Sequence, residues 1–153
     1  MIERILVVAG LLALMPAVAG AADRAYIVGE RSANRGPLPF SEGVMVGDTL
    51  YVAGHIGIDP ATDMAATSAE AEAKLVMDAV KRTVEQAGLK MDDLVSVTVY
   101  CTDLGLYNSF NAVYRTYFHD QYPARAFIGT ATLLRGAHFE VLGVAVRQTK
   151  KGG

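Results

Sequence analysis

Apolar residues recur along this chain in two rhythms, and the changes between them mark out the elements. Val44-Met45-Val46 and Leu50-Tyr51-Val52 flank Gly47-Asp48, and two apolar runs around such a pair predict a β-hairpin. A short strand over 25–29 precedes it, set apart by the breakers Gly36-Pro37-Leu38-Pro39. Asp59-Pro60-Ala61-Thr62-Asp63 predicts a turn. Ala73, Met77, Val80, Val84 and Ala87 then follow at helical spacing and form one apolar stripe. Thr67 and Glu70, three residues apart, make a capping-box pair at the start of this helix, and Gly88 stands where a C-terminal cap belongs. Glu72, Lys74, Asp78, Lys81, Arg82 and Glu85 fill the remaining positions and are expected on a solvated face.

The period drops to two over 95–102, a half-buried strand with Cys101 on the valine face as a small buried hydrophobe. A second long helix turns Phe110, Val113, Tyr114, Tyr117 and Phe118 inward, where the aromatics read as core. Strands over 125–133 and 138–149 close the chain. The order β-β-β-α-β-α-β-β predicts an α+β fold, a mostly antiparallel sheet packed against two helices. In the last strand Val141, Gly143 and Ala145 alternate with Leu142, Val144 and Val146, so both faces are apolar or small. Helices on one side leave the other side in water. A neighbouring subunit is the simplest cover for it.

The first residues obey a different logic. No charge occurs from Ile5 to Ala19, the run is rich in Leu, Val and Ala, and it ends in Ala17-Val18-Ala19-Gly20-Ala21-Ala22 before Asp23-Arg24. That layout predicts a secretory signal peptide over 1–22, export to the periplasm and a single domain over 23–153. The run is short for a membrane span, which takes about 20 apolar residues. Cleavage after Ala22 removes Glu3 and Arg4, so the net charge of −2 is unchanged. A chain of ~130 residues buries about two-thirds of its unfolded surface and has no need of disulfides; Cys101 is its one cysteine. The near-neutral charge and the lack of a basic cluster argue against nucleic acid as a partner.

Two residues carry the chemistry that composition leaves open. Glu140 shares a strand face with Leu142, Val144 and Val146, where desolvation suits a carboxylate to proton transfer; an ion-paired structural Glu near a strand end is the equal alternative. Arg125 opens a strand after Pro123-Ala124 and can fork two bonds onto a carboxylate, or lie as a surface Arg. His138-Phe139-Glu140 matches the His-x-Glu of zinc deaminases, but no Cys follows position 101, which excludes zinc chemistry of that kind. His55, His119 and His138 have no ligand spacing.

Several segments resemble the RidA/YjgF family in order and spacing, over about Leu38 to Arg147. They are Val52-Ala53-Gly54-His55-Ile56-Gly57-Ile58-Asp59-Pro60, Val97-Thr98-Val99-Tyr100-Cys101-Thr102-Asp103-Leu104, Phe110-Asn111-Ala112-Val113-Tyr114, Tyr122-Pro123-Ala124-Arg125 and Arg135-Gly136-Ala137-His138-Phe139-Glu140-Val141. The resemblance implies a homotrimer whose sheets form a central barrel, with clefts between subunits. It also implies hydrolysis of 2-imino acids to 2-keto acids and ammonia, by positioning and proton transfer with no metal or cofactor. Arg125 would hold the substrate carboxylate and Glu140 would position and activate water; Asn111, Gly54, Phe40 and Phe127 would line the substrate site.

The chain departs from the family pattern at three places. Phe40 replaces a Tyr, Ala53 and His55 replace the Ser and Gln of a Ser-Gly-Gln segment, and Ala126-Phe127 follows Pro-Ala-Arg where a Ser and a small residue are usual. A more apolar, differently shaped pocket is expected. The alternative to an enzyme is a trimeric binding module that captures small carboxylate or carbonyl metabolites without turnover. A ribonuclease reading lacks the basic surface it needs.

Overall fold

The computed structural model describes residues 22–29 and 38–148; the expected signal peptide lies outside them, apart from Ala22. Strand β1 (Arg24–Ile27) pairs antiparallel with β2 (Gly43–Val46), which turns through Gly47-Asp48 into β3 (Thr49–Ile56). Gly47 sits at φ +57 beside Asp48 at negative φ, the arrangement of a II′ hairpin, where a side chain at the first turn position would be strained. The predicted turn at Asp59–Asp63 joins two short strands, β4 (Ile58–Asp59) and β5 (Met64–Ala65), a hairpin the sequence pattern does not reveal. The Asp59 carboxylate accepts the Ala61 N–H there, 2.8 Å away.

Helix α1 (Ala69–Gln86) starts one residue later than the Thr67–Glu70 pair implies. Ser68 is the N-cap, and its hydroxyl accepts the N–H of Ala71 at 3.2 Å. Gly88, at φ +72, lets Leu89 N–H return to the Val84 carbonyl and end the helix as predicted. Ala73, Met77, Val80 and Val84 are buried, and Ala87 is half-buried. Glu72 is the correction: expected in solvent, it is fully buried. It heads a second row, Glu72-Val76-Ala79-Thr83, beside the stripe and buried with it.

Strand β6 (Leu94–Cys101) carries a bulge at Val95, so Leu94, Val97, Val99 and Cys101 face inward and Val95 is exposed. Helix α2 (Tyr107–Tyr114) is much shorter than expected and tightens into a 3₁₀ turn, Arg115–Tyr117. Thr116 bonds its hydroxyl back to the Val113 carbonyl there, a side-chain contact that competes with helix continuation. Phe110, Tyr114 and Phe118 are buried. Strand β7 (Ala124–Gly129) ends four residues before the predicted 133, because its partner β6 has no residue left to offer beyond Cys101. Strand β8 (Phe139–Val146) begins after His138, whose N–H is engaged by Glu72.

The sheet order is β1-β2-β3-β8-β6-β7, antiparallel except for β6 with β7. Both helices cover one face, over Leu50, Val52, Val97, Val99, Cys101, Phe139, Val141 and Ala145. The opposite face presents Val44, Tyr51, Leu142, Val144, Val146 and Ile128, and nothing in the described chain lies over it; Tyr51 is 53% exposed.

Candidate active site

Arg125 stands second in the edge strand β7, in register with Val97 of β6, and so points to the helix-covered face. Its guanidinium carbon lies 4.5 Å from the Tyr114 ring centroid, 5.7 Å from that of Phe127 and 5.8 Å from that of Tyr107. Among the described residues no carboxylate pairs with it and no acceptor takes its N–H groups. Asn111, one turn ahead of Tyr114 on α2, lines the same pocket of about 260 Å³, closed by Tyr107, Tyr122 and Pro123. Asn111 is buried, and its side chain makes no hydrogen bond within the described chain. Phe127 packs edge-on against Tyr107 and Phe110 at centroid distances of 5.0 and 5.6 Å, deepening the apolar wall. Burial pushes the Tyr114 hydroxyl up to about 12, with the Arg125 charge opposing. It stays protonated at neutral pH, and the oxygen is buried without a partner.

Glu140 occupies a different place. It is in register with Tyr100 of β6 and Ile56 of β3, on the uncovered face with Leu142 and Val144. A bulge in β3 between Val52 and His55 brings Gly54 against it. A Cβ at Gly54 would meet the Glu140 carboxylate, so a side chain here would displace that group. The same bulge turns His55 inward, where its Nε2 meets the Thr83 hydroxyl at 3.1 Å and burial, with the Arg82 charge, lowers it to about 4. Phe40 is 55% exposed ahead of β2, toward the far edge of the sheet from β7.

The structure therefore groups Arg125 and Asn111 in one pocket, sets Phe127 beside Arg125 against the pocket residue Tyr107, and places Gly54 with Glu140 elsewhere. Arg125 and Glu140 point to opposite faces. Three residue steps and two strand spacings also separate them, about 10 Å in each direction. No single small ligand bridges them within one chain. Sequence reasoning placed Tyr114 in the core and missed its contact with Arg125; the Asn111–Tyr114 spacing, which sets both on one helix face, was the available signal. It also missed Glu72, whose carboxylate accepts the N–H groups of His138 and Phe139 at 2.5 and 2.8 Å and pairs with His138 Nδ1 at 2.8 Å. The second buried row on α1 was the signal there.

The family model described as endoribonuclease L-PSP matches residues 32–147. A 2-iminobutanoate/2-iminopropanoate deaminase of Salmonella typhimurium is 34% identical over 113 residues, 72% of this chain and 88% of that protein. The human protein of the same name is 33% identical over 110 residues, 71% of this chain and 80% of its own length. Among solved structures, the YjgF gene product of Escherichia coli superposes with a TM-score of 0.68 at 34% identity, over 72% of this chain and 89% of that one. Escherichia coli TdcF with bound serine reaches 0.72 at 29% identity, over 81% of this chain and the whole of that one. The fold, the motifs and these matches together make the chain a member of the RidA/YjgF family.

Proposed function

We propose that the protein is an enamine/imine deaminase that hydrolyses short 2-imino acids, with its sites built between the subunits of a homotrimer. The observation that carries this reading is the uncommitted Arg125 guanidinium, which shares a small pocket with the Asn111 amide. A cation with free donors in an apolar recess is complementary to a carboxylate, and the planar fork fixes the orientation of what it binds. Relatives that carry deaminase names support the choice of reaction.

In this mechanism Arg125 grips the substrate carboxylate and presents the adjacent imine carbon. Water adds to that carbon, and Glu140 of a neighbouring subunit takes one of its protons. That proton passes to the nitrogen to give a carbinolamine; Glu140 then carries the hydroxyl proton to the amine, and the C–N bond breaks as the C=O forms, giving a 2-keto acid and ammonia. The neighbour is required because Arg125 and Glu140 lie on opposite faces of one sheet. The uncovered face that carries Glu140 is the surface such a neighbour would bury.

A binding module without turnover is the second reading. It is favoured by Phe40 and Ala53, which lack the hydroxyls usual in the family. Ammonia release from 2-iminobutanoate generated in situ separates the two: the enzyme releases it and Arg125→Ala does not. Binding of 2-oxobutanoate with no ammonia above background would leave the binding module. Export rests on residues 5–22 alone. Periplasmic material should begin between Gly20 and Asp23 on N-terminal sequencing, and a full-length cytosolic chain would contradict it.

A further inference from the structure

We propose that Tyr114 is a positioning residue for Arg125, its ring holding the guanidinium in place of the carboxylate that would ordinarily do so. This rests on the reading of Arg125 as the anion-binding group. A half-buried arginine is usually fixed by an acidic partner, but an acid would occupy the fork and cancel the charge a substrate needs. An aromatic face attracts the cation through its quadrupole and leaves the donors free. Arg125 shows this arrangement: three rings within 5.8 Å, Tyr114 the nearest at 4.5 Å, and no ion pair among the described residues.

Tyr114 is itself immobilised. Phe110 stacks on it at 5.8 Å and Phe118 tilts against it at 4.8 Å, so the ring is a rigid platform. Its hydroxyl has no partner within the described chain, so it is the ring that holds the guanidinium. Tyr107 and Phe127 stand near the outer limit of such contacts and complete the sides.

Calorimetric binding of 2-oxobutanoate, the keto acid matching 2-iminobutanoate, tests the role. Tyr114→Phe should bind within about twofold of wild type, and Tyr114→Leu about 3- to 30-fold more weakly, the span expected from losing a cation–π contact. In turnover the Leu variant should raise KM by the same factor with kcat little changed, a split that loss of stability alone does not produce. Leu binding as tightly as wild type would overturn the proposal, as would Phe losing as much as Leu, which would move the role to the hydroxyl. The second measurement needs neither ligand nor a folded Leu variant. In free wild type and in Tyr114→Phe, the Arg125 Nε–H proton should be shifted upfield by the ring current; an unshifted resonance would also overturn it. If wild type failed to bind 2-oxobutanoate, the anion-site reading would fall while the resonance still decided the clamp.

Discussion

Glu72 shows how much one side chain can organise. Its carboxylate is out of water, and three donors from the start of β8 replace the solvent it lost. Removing it leaves the buried Phe139 N–H and the part-buried His138 N–H without their acceptor, so Glu72→Ala should cost roughly 2–3 kcal/mol in urea unfolding. Glu72→Gln keeps one oxygen for both amides and should cost under about 1 kcal/mol. An Ala variant as stable as wild type would show that the bonds are dispensable. His55 makes a pH-dependent contribution. Its folded value near 4 lies below the ordinary 6.5, so between these the unfolded chain binds more protons. Stability from this group is complete above pH 6.5 and declines as the pH falls toward 4. His55→Gln should flatten that part of the stability–pH curve, measured by urea melts at pH 7 and pH 5; an unchanged slope would place the dependence elsewhere. At this scale sequence reasoning placed Cys101 correctly, as a small buried hydrophobe. It misplaced Glu72, because charge predicts exposure until a partner 66 residues away is seen.

Among the elements, two glycines of β3 and its continuation separate structural need from site need. A Cβ at Gly57 would strike the main chain of α1 at Glu72, where nothing can swing aside. Gly57→Ala should therefore destabilise by roughly 1–3 kcal/mol. At Gly54 the obstacle is the end of the Glu140 side chain. Gly54→Ala should fold with a melting temperature near wild type yet lose turnover, because the carboxylate is displaced; the opposite pattern would mean that Glu140 cannot move. The hairpin around Gly47, α1 and the phase of β6 were legible, since each is written in local periodicity. The bulges, the β4–β5 hairpin, the short α2 and the early end of β7 were not. Each depends on what lies beside the segment: β7 stops where β6 stops, and His55 turns inward only because β3 slips against β8.

For the whole molecule, the doubly apolar last strand in the sequence correctly foretold a sheet face that one chain leaves open. It could not show that the two candidate groups lie on opposite sides of that sheet. Sedimentation equilibrium at micromolar concentration should report three chains; a monomer would remove the shared site. Subunit mixing is the sharper test. Arg125→Ala and Glu140→Gln, each expected to lower kcat/KM by about 100-fold or more alone, should recover about a quarter of wild-type activity when co-refolded in equal amounts. That fraction follows because one interface in four then joins an intact arginine to an intact glutamate. Sites contained in single chains would show no recovery.

The last strand of the described chain is also an inner strand of the sheet, between β3 and β6. During synthesis the earlier strands therefore emerge as two pieces, β1-β2-β3 and β6-β7, with no ladder joining them. Glu72 waits in a half-built core for amides that lie 66 and 67 residues further along the chain. Closure of the sheet is thus tied to the synthesis of β8, and the two pieces stay unjoined until that strand leaves the ribosome.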